Sequence, residues 1–551
     1  MVRSRWCVLI LCLGASCADS STANGEDEGR VAFQFQEVAL EWGVDFVVRS
    51  SFDGTYRLPE NSCGGVGLFD ANGDGRVDLY LVDAGELRDS TAKPGVDRIY
   101  LNAGGRFRDV TEAAGIRRSA FGMGIAAADV DSDGDVDVYL TSLGADEHFE
   151  NDGAAAFTRQ SDSDVADGWS TSASFFDFDR DGDLDLYVAR YVEYSPSMVC
   201  RGPTSKLDFC GPDAYPHTAD AVFMNAGAGR FKDASDELGI ARALGAGLGV
   251  IAEDFDDDGW LDVFVANDLG PNRLWSNDSG QHFRDVAPLV GVAFDLQGRP
   301  EASMGIVADD LDGDARIDLF LTHLRTETNT LYRATGNPGR FIDATSTTNT
   351  ARTSLPMTGF GIDALDADLD GDLDLLIANG SVLRNSKPLA SDLAEPWNEY
   401  AEEDHLLENL GSGRFATPLV LGPSPSVSRG SAHGDLDGDG RVDWVVNSVE
   451  SRARVFLNRV PPQRSFVGLD VRTGLRSALG ARVSYEFDGV GQVRTVRRDG
   501  SFLATQDPRI FLAAPDSVPF DVTVRFADGA TEVFTIHTTD RIYTLVQGEG
   551  R

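Results

Sequence analysis

Residues 129–140 read DVDSDGDVDVYL, a run of alternating aspartates that closes at Asp137 and is followed at once by an apolar stretch. The same nine-residue pattern begins at Asp70, Asp177, Asp254, Asp310, Asp366 and Asp435. A β-rich run such as Leu186-Tyr187-Val188 follows every copy. The copies begin 48 to 77 residues apart, which leaves room for four short strands in each unit. Seven such units predict an all-β, seven-bladed propeller.

Acidic residues at positions 1, 3, 5 and 9 of a tight loop, with glycine at position 6, are what Ca²⁺ requires, because this hard cation binds six to eight oxygens. The EF-hand loop shares this first half, but it closes with Glu at position 12 and continues as a helix. A simple Asp-Gly turn would explain one copy, but a turn alone does not require carboxylates at positions 1, 3 and 9.

The sequence therefore predicts up to seven Ca²⁺ sites. Their ligands are Asp70, Asn72, Asp74 and Asp78; Asp129, Asp131, Asp133 and Asp137; Asp177, Asp179, Asp181 and Asp185; Asp254, Asp256, Asp258 and Asp262; Asp310, Asp312, Asp314 and Asp318; Asp366, Asp368, Asp370 and Asp374; and Asp435, Asp437, Asp439 and Asp443.

Two loops depart from the pattern. Asn72 replaces the position-3 aspartate of the first loop and keeps a carbonyl oxygen with one charge fewer. Ala315 replaces the position-6 glycine of the fifth loop. We expect position 6 to be left-handed, so the fifth loop should be the weakest site.

The chain has 551 residues, a net charge of −41 and 42% hydrophobic residues, which is a globular composition. This negative charge argues against nucleic acid and anionic membrane surfaces as partners. Arg494, Arg497 and Arg498 form the one small basic cluster, and we interpret them as solvated strand residues.

Residues 1–17 have the pattern of a signal peptide: Arg3 and Arg5 precede an apolar run over 6–15 that is too short to span a bilayer. Residues 13–17, LGASC, resemble a bacterial lipoprotein cleavage box, in which Cys17 would be lipidated. Ordinary cleavage after Ser16 or Ala18 is the alternative. Residues 18–30 are a predicted flexible tether. The mature chain is thus expected to be secreted, or held at the cell surface or outer membrane as a lipoprotein.

Of the four cysteines that follow this leader, Cys17, Cys63, Cys200 and Cys210, only the last two are close in sequence. In an oxidising compartment a disulfide between Cys200 and Cys210 is expected, with two free thiols as the alternative.

The two ends of the repeat array are incomplete. The seventh unit ends its third strand at Asn458 and then meets Pro461-Pro462, so it lacks a fourth strand. Residues 35–38 look like a fourth strand without a unit of their own. Because open sheet edges are normally avoided, we predict that residues 33–39 pair with 455–458, with the C-terminal domain starting outside the ring near Ser465.

The acidic loops resemble the FG-GAP or VCBS repeats of integrin-type propellers. Their flanks resemble the cartilage acidic protein family at Phe35–Val38, Leu58–Glu60, Phe209–Pro212, Glu327–Asn329 and Ala378–Gly380. Gly480–Val483, Gly500–Leu503 with Gln506, and Val524–Gly529 are similar to the ASPIC/UnbV domain that follows the propeller in that family. The resemblance implies a propeller over 31–462, an ASPIC/UnbV-like β domain over 463–548, and an extracellular, calcium-binding, non-enzymatic protein. Ser381 and Phe511–Ala514 depart from the family pattern.

The leading interpretation is a monomeric surface scaffold that binds an extracellular protein or glycan, with membrane contact only through Cys17. The alternative is an extracytoplasmic enzyme on a propeller, either a calcium-dependent polysaccharide-degrading enzyme or a quinone-dependent dehydrogenase. No histidine forms a His-x-x-x-His pair or lies beside a candidate nucleophile in the sequence, and His323 and His433 are interpreted as packing or rim residues.

Overall fold

The computed structural model describes residues 33–50, 52–88, 91–161, 163–202, 205–385 and 388–551. The predicted signal peptide, the tether and Cys17 lie outside the described residues. The described helices are single turns of three to five residues: Ala39–Trp42, Leu58–Asn61, Thr111–Ala114, Pro212–Ala214, Ile240–Arg242, Ala287–Val290, Thr345–Thr347, Thr350–Ser354 and Trp397–Glu399. In this part of the chain no helix is long and apolar enough to cross a membrane. The all-β prediction is confirmed.

Seven four-stranded antiparallel units follow one another along the chain, and pairing of Asp167–Trp169 with Leu143–Ala145 joins the second and third into one eight-stranded sheet. The first three are Val66–Phe69, Asp78–Leu81, Arg98–Asn102 and Phe107–Asp109; Phe121–Ala128, Asp137–Ala145, Glu147–Asn151 and Phe157–Arg159; and Asp167–Phe176, Asp185–Arg190, Ala221–Asn225 and Phe231–Asp233. The fourth to sixth are Gly247–Glu253, Asp262–Asn267, Arg273–Asn277 and Phe283–Asp285; Ile306–Asp309, Asp318–Leu321, Thr330–Ala334 and Phe341–Asp343; and Gly359–Leu365, Asp374–Asn379, Glu402–Leu407 and Leu419–Ser426.

The first strand of each sheet contacts the first strand of the next, and the first strand of the seventh sheet contacts that of the first sheet. The sheets therefore form a closed ring around a central axis. In every sheet the acidic loop joins the first strand to the second, so all seven loops lie at one end of the ring, which we call the loop face. Short hairpins at other positions are Gly85–Arg88 with Thr91–Pro94 and Cys200–Arg201 with Leu207–Asp208, and a separate antiparallel pair joins Thr218–Ala219 to Leu244–Gly245.

The seventh sheet joins the two ends of the ring. It contains Ser428–Gly434, Asp443–Ser448, Arg454–Asn458 and, from the N-terminal end of the chain, Phe35–Glu37. Phe35 pairs with Asn458 and Glu37 with Phe456, and the Val38 N–H donates to the Val455 carbonyl at 2.8 Å. The predicted closure is confirmed, and it removes the open edge that a three-stranded seventh sheet would present.

The C-terminal domain consists of two further sheets. One joins Arg476–Ser477, Phe466–Thr473 and Ile510–Ala513, with Arg541–Val546 parallel to the long strand. The other joins Val490–Thr495, Arg482–Phe487, Phe520–Arg525 and Thr531–Ile536. The apolar side chains between them form one core cluster with the third sheet of the ring, so the domain is packed on the propeller.

The domain starts outside the ring at Phe466, close to the predicted Ser465, but one part of it does not stay outside, and the sequence did not indicate this. Residues 499–507, which we call the axial segment, enter the ring at its centre. Phe502 and Leu503 are fully buried there, and the Phe502 ring lies 5.0 Å from that of Phe360. Ala504–Thr505 pairs in parallel with the first strand of the first sheet, where Val66 faces Ala504.

The axial segment touches all seven sheets. Asp499 accepts hydrogen bonds from Ser174 of the third sheet and from the Ala252 N–H of the fourth. Ser501 exchanges backbone hydrogen bonds with Ile306 of the fifth sheet and binds the sixth and seventh through its hydroxyl. Leu503 packs on Gly124 of the second sheet and on the first sheet. Ser501 and Leu503 have φ values of 53° and 56°, a left-handed conformation that disfavours non-glycine residues. The ring therefore holds this turn in a strained shape.

Candidate metal centre

Each acidic loop is a tight turn built around its position-1 aspartate. In the second loop, Asp129 accepts the Asp133 N–H at 3.1 Å on one carboxylate oxygen and the Gly134 N–H at 2.9 Å on the other. The bond from the position-6 N–H to the position-1 carboxylate is present in all seven loops. The position-1 side chain thus shapes the loop as well as facing its centre.

The backbone is left-handed at positions 4 and 6 of every loop. Ala315 has φ of 62°, so the left-handed conformation predicted at position 6 is confirmed at the residue where it costs most. The left-handed backbone at position 4 was not predicted from the sequence. That position is occupied by Gly73, Ser132, Arg180, Asp257, Gly313, Leu369 and Gly438, a mixture from which the sequence gives no backbone signal.

The predicted ligand side chains converge. In at least five loops, three carboxylates each place an oxygen within 4.8 Å of the others: Asp129, Asp131 and Asp137; Asp177, Asp179 and Asp185; Asp254, Asp256 and Asp258; Asp310, Asp312 and Asp314; and Asp366, Asp368 and Asp370. Five buried carboxylate oxygens in the loops have no hydrogen-bond partner in the described structure: Asp177 Oδ1, Asp254 Oδ1, Asp312 Oδ1, Asp437 Oδ1 and Asp318 Oδ2. Buried, unpartnered carboxylate oxygens in such groups fit a hard divalent cation.

The electrostatics of the loops agree with this fit. Burial, together with the neighbouring charges of Asp131 and Asp133, raises the pKa of Asp129 to about 6. Burial likewise raises the pKa of Asp137, Asp185 and Asp318 to about 8, with contributions from other carboxylates of the same loop. Without a cation, ionised carboxylates in this arrangement are therefore unfavourable.

The position-9 aspartate has a second role that the sequence did not reveal. Asp137 accepts the Val130 N–H at 3.0 Å within the loop and the Asn151 N–H at 2.9 Å from the end of the third strand. Six loops repeat both bonds. In the fifth loop, Asp318 keeps only the bond to the third strand, from the Ala334 N–H at 2.8 Å.

An asparagine at the end of the third strand links neighbouring loops. The Asn151 amide donates to the Val136 carbonyl of its own loop at 3.2 Å and to the Ala71 carbonyl of the preceding loop at 2.9 Å. The bond to the preceding loop recurs at Asn102, Asn225, Asn277, Asn409 and Asn458. The fifth sheet has Ala334 at this place. The recurring asparagine is visible in the sequence. The sequence does not show that its amide binds a backbone carbonyl of the preceding loop.

The C-terminal domain covers most of the loop face. Leu475, Phe487 and Phe466 pack against the position-6 glycines of the second, sixth and seventh loops. Arg525 binds Asp254 at 2.5 Å, and the Gln463 amide binds Asp368 at 2.7 Å. Nothing lies within 4 Å of where a side chain at Gly75 of the first loop or Gly182 of the third would start, although Arg476 of the C-terminal domain donates to the Gly182 carbonyl.

The interpretation of Arg494, Arg497 and Arg498 as solvated residues was wrong. Arg494 is buried with its guanidinium 3.6 Å from the Asp309 carboxylate, and Arg497 binds the buried Glu253. Arg498 is also buried, and burial lowers its pKa to about 10. These three side chains lie in the interface between the C-terminal domain and the propeller. There Asp309 compensates the charge of Arg494, and Glu253 compensates that of Arg497.

The opposite end of the ring carries two long insertions between second and third strands, residues 191–220 in the third sheet and 380–401 in the sixth. Cys200 and Cys210 are joined by a disulfide within the first insertion, with Cα atoms 5.1 Å apart, as predicted. Arg384 of the second insertion donates to the Leu207 carbonyl at 2.9 Å and to the Tyr56 hydroxyl at 2.6 Å. The insertions therefore pack on each other. Cys63 is a buried thiol.

The structure brings one histidine next to a serine, which the sequence did not indicate. The Ser303 hydroxyl lies 3.0 Å from His323 Nε2, and Glu301 is 3.7 Å from the same nitrogen. A catalytic triad places its acid and its serine on different ring nitrogens. Burial lowers the pKa of His323 to about 3, and both His323 and Ser303 are buried. This is a packing arrangement, as interpreted. His433 is half-buried and bonds to Asp363 at 3.0 Å.

Family models match two parts of the chain. The FG-GAP-like repeat matches residues 70–140, 129–188, 254–321 and 310–377. The ASPIC and UnbV model matches residues 472–551. The first set covers the first six acidic loops, and the second covers most of the C-terminal domain.

Known proteins with detectable similarity include cartilage acidic protein 1 of Mus musculus, 25% identical over 350 residues, which are 59% of this chain and 49% of the relative. The Homo sapiens protein is 25% identical over 344 residues, covering 59% and 48%. The chain thus matches about half the length of these relatives.

Among solved structures, the BP39L lectin of Burkholderia pseudomallei is 11% identical with a TM-score of 0.43, over 72% of this chain and 96% of the lectin. Saccharomyces cerevisiae Sqt1 is 9% identical with a TM-score of 0.40, over 88% of this chain and all (100%) of Sqt1. Repeats, C-terminal domain and homology agree with one another: the chain carries FG-GAP-like repeats followed by an ASPIC and UnbV domain, and it is similar to cartilage acidic protein 1.

Proposed function

We propose that this protein is an exported scaffold whose propeller is held together by up to seven Ca²⁺ ions and which binds another extracellular protein or a glycan. The observation that carries the proposal is the set of buried, unpartnered carboxylate oxygens that converge in the acidic loops. Bound calcium would compensate the charge of the clustered carboxylates and let them remain ionised.

Calcium would supply a large part of the stability. Extracellular calcium modules bind with dissociation constants of roughly 10⁻⁴ to 10⁻³ M. A site at ten times its constant gains about 1.4 kcal/mol, so seven sites would contribute on the order of 10 kcal/mol. This is comparable to the whole unfolding free energy of an ordinary domain, about 5–15 kcal/mol.

The scaffold role follows from which surfaces remain available. The C-terminal domain covers most of the loop face, and Phe502 and Leu503 fill the axis. A partner would therefore bind at the opposite end, where the insertions meet around Arg384, or on the outer strands. An enzyme with a cofactor on the axis would have to displace the axial segment. We accordingly propose a non-enzymatic role.

The proposed location is outside the cytoplasm, either secreted or attached through a lipid on Cys17. The disulfide between Cys200 and Cys210 is consistent with an oxidising compartment. We propose that the protein is a monomer with no nucleic-acid partner, since its net charge of −41 would repel polyanions.

Metal content tests the calcium part directly. The purified protein is dialysed against millimolar Ca²⁺, and bound calcium is measured by elemental analysis beside a chelator-treated sample. Several equivalents, up to seven, are expected. Asp131→Asn should lower the calcium affinity of the second loop, whereas Asp135→Asn, at position 7 of the same loop, should leave binding nearly unchanged. A protein without calcium above the chelated control would refute the proposal.

The partner is tested by screening the calcium-loaded protein against cell-wall glycans and secreted proteins, with and without chelator. Saturable binding to one class supports the scaffold role. Turnover of a glycan by the purified protein would instead support the enzyme alternative.

A further inference from the structure

The fourth loop is surrounded by four guanidinium groups, three of which come from the C-terminal domain. Arg180, from the third loop, stacks over the Trp260 ring at 4.0 Å and donates to the Gly259 carbonyl. The other three come from the C-terminal domain: Arg482, Arg497 and Arg525.

Two of these arginines bind the position-1 residue itself. Arg525 holds Asp254 Oδ2 at 2.5 Å, and Arg482 donates to the Asp254 carbonyl at 2.8 Å. Asp254 is buried, and its other oxygen, Oδ1, has no partner in the described structure. That oxygen remains available to a cation, but a cation there would lie close to the positive charge of Arg525.

The second loop provides the contrast. Its Asp129 accepts hydrogen bonds from backbone N–H groups of its own loop, including those of Asp133 and Gly134. Within the described residues, no arginine forms a salt bridge with its ligand carboxylates; Arg476 reaches only the Ser132 hydroxyl, at 3.2 Å. The C-terminal domain therefore adds positive charge to the ligands of the fourth loop but not to those of the second.

The C-terminal domain is suited to this role by its charge. Residues 463–551 contain 11 arginines, no lysine and 11 acidic residues, so this domain has no net charge. The whole net charge of −41 therefore lies in residues 1–462. Its arginines supply countercharge to the loop face at specific points. A fixed positive charge a few ångströms from a divalent cation weakens binding, since both occupy the same partly buried environment.

We propose that cation binding in the fourth loop competes with docking of the C-terminal domain through Arg525 and Arg482, so that this domain sets the calcium affinity of that site. The inference rests on the proposed calcium-binding function. Coupling between two binding events is reciprocal, so calcium in the fourth loop weakens these two contacts in turn. The axial segment keeps the domain attached meanwhile, which makes the fourth loop a local sensor of calcium concentration at the domain interface.

Trp260 allows cation binding in the fourth loop to be followed separately from binding in the other loops. It occupies position 7, whose carbonyl is a ligand in the EF-hand loop, whereas the other six loops have Arg76, Asp135, Asp183, Arg316, Asp372 and Arg441 there. Terbium replaces calcium in such sites and luminesces when a nearby tryptophan is excited. Because Trp260 also lies beside Arg180 of the third loop, the signal of the fourth loop is the one that disappears both in Trp260→Phe and in Asp254→Asn.

The experiment titrates the full-length, calcium-depleted protein with Tb³⁺ and follows the Trp260-dependent luminescence. In Arg525→Gln the midpoint should move to a lower Tb³⁺ concentration by on the order of tenfold. Arg482→Gln should shift it in the same direction. Arg551→Gln, which removes a similar arginine-carboxylate pair to Asp521 within the C-terminal domain, should leave it unmoved.

An unmoved or raised midpoint in both Arg525→Gln and Arg482→Gln would overturn the inference, as would the absence of any Trp260-dependent signal. Circular dichroism identical to that of the parent is required of each variant. Failure of the proposed function is a separate result, because it appears as a protein that retains no calcium in any loop after dialysis.

Discussion

The axial segment provides the sharpest test of how the two domains depend on each other. Phe502 belongs by sequence to the C-terminal domain, yet its side chain is fully buried at the centre of the ring, against Phe360. Phe502→Ala removes this ring without changing any strand of the propeller.

The expected cost follows from the surroundings. Replacing a buried Phe by Ala costs about 3–5 kcal/mol, and most where neighbours cannot collapse into the space. Each first strand around the axis is held by its own sheet, and the Gly65 and Gly430 backbones already lie against the segment. We therefore expect a value near the upper end of that range. With an m-value of about 3 kcal/mol/M in urea, the unfolding midpoint should fall by about 1 M or more.

Tryptophan fluorescence reports the unfolding of the propeller and not that of the C-terminal domain, because all seven tryptophans precede residue 445. The urea transition of Phe502→Ala is compared with that of Ile536→Ala, which removes a fully buried side chain of the C-terminal domain away from the axis. The first variant should shift the tryptophan transition more than the second. An unchanged transition in Phe502→Ala would show that the axial segment does not stabilise the ring.

Four further predictions concern the loops and the ring. Ala334→Asn should restore the missing link between the fifth and fourth loops and raise thermal stability by about 1 kcal/mol, whereas Asn151→Ala should lower it by at least as much; the reverse order would refute the link. Ala315→Gly should relieve about 1 kcal/mol of backbone strain, and a calcium titration or melting curve that shows no gain would mean that the loop geometry is misjudged. Deleting residues 18–40 should destabilise the whole propeller, while deleting 18–29 should not; equal melting temperatures would contradict the closure. In chelator, the raised folded-state pKa values of about 6 to 8 mean that the folded protein binds more protons than the unfolded chain, so stability should rise as pH falls from 8 to 5. Calcium should abolish that trend, and denaturation curves across this range test it.

The loops and their order were predictable because metal chemistry fixes residue types at fixed spacing. A ligand position such as that of Asp131 can change only to a residue that still offers an oxygen, as Asn72 does in the first loop, so the pattern recurs across units and is visible in the sequence. The ring closure was predictable for a related reason: a strand absent after Asn458 and an extra strand at Phe35 can be counted without knowing any contact.

The interface between the domains could not be predicted in this way. Ser501, Phe502 and Leu503 form no periodic pattern, and their burial depends on a ring formed by distant parts of the chain. Arg494 and Arg497 looked solvated because their partners, Asp309 and Glu253, lie far away in sequence. Contacts of this kind follow from tertiary docking, on which local propensity and spacing carry no information.

The central claim is that calcium in the acidic loops stabilises the propeller, and a thermal melt tests it most directly. The protein is melted in excess chelator, then after return to millimolar Ca²⁺, and separately in Mg²⁺ at the same concentration. We predict a midpoint that falls steeply in chelator and is restored by Ca²⁺ far better than by Mg²⁺, which requires stricter octahedral geometry. A melting curve unchanged by chelator would contradict the account.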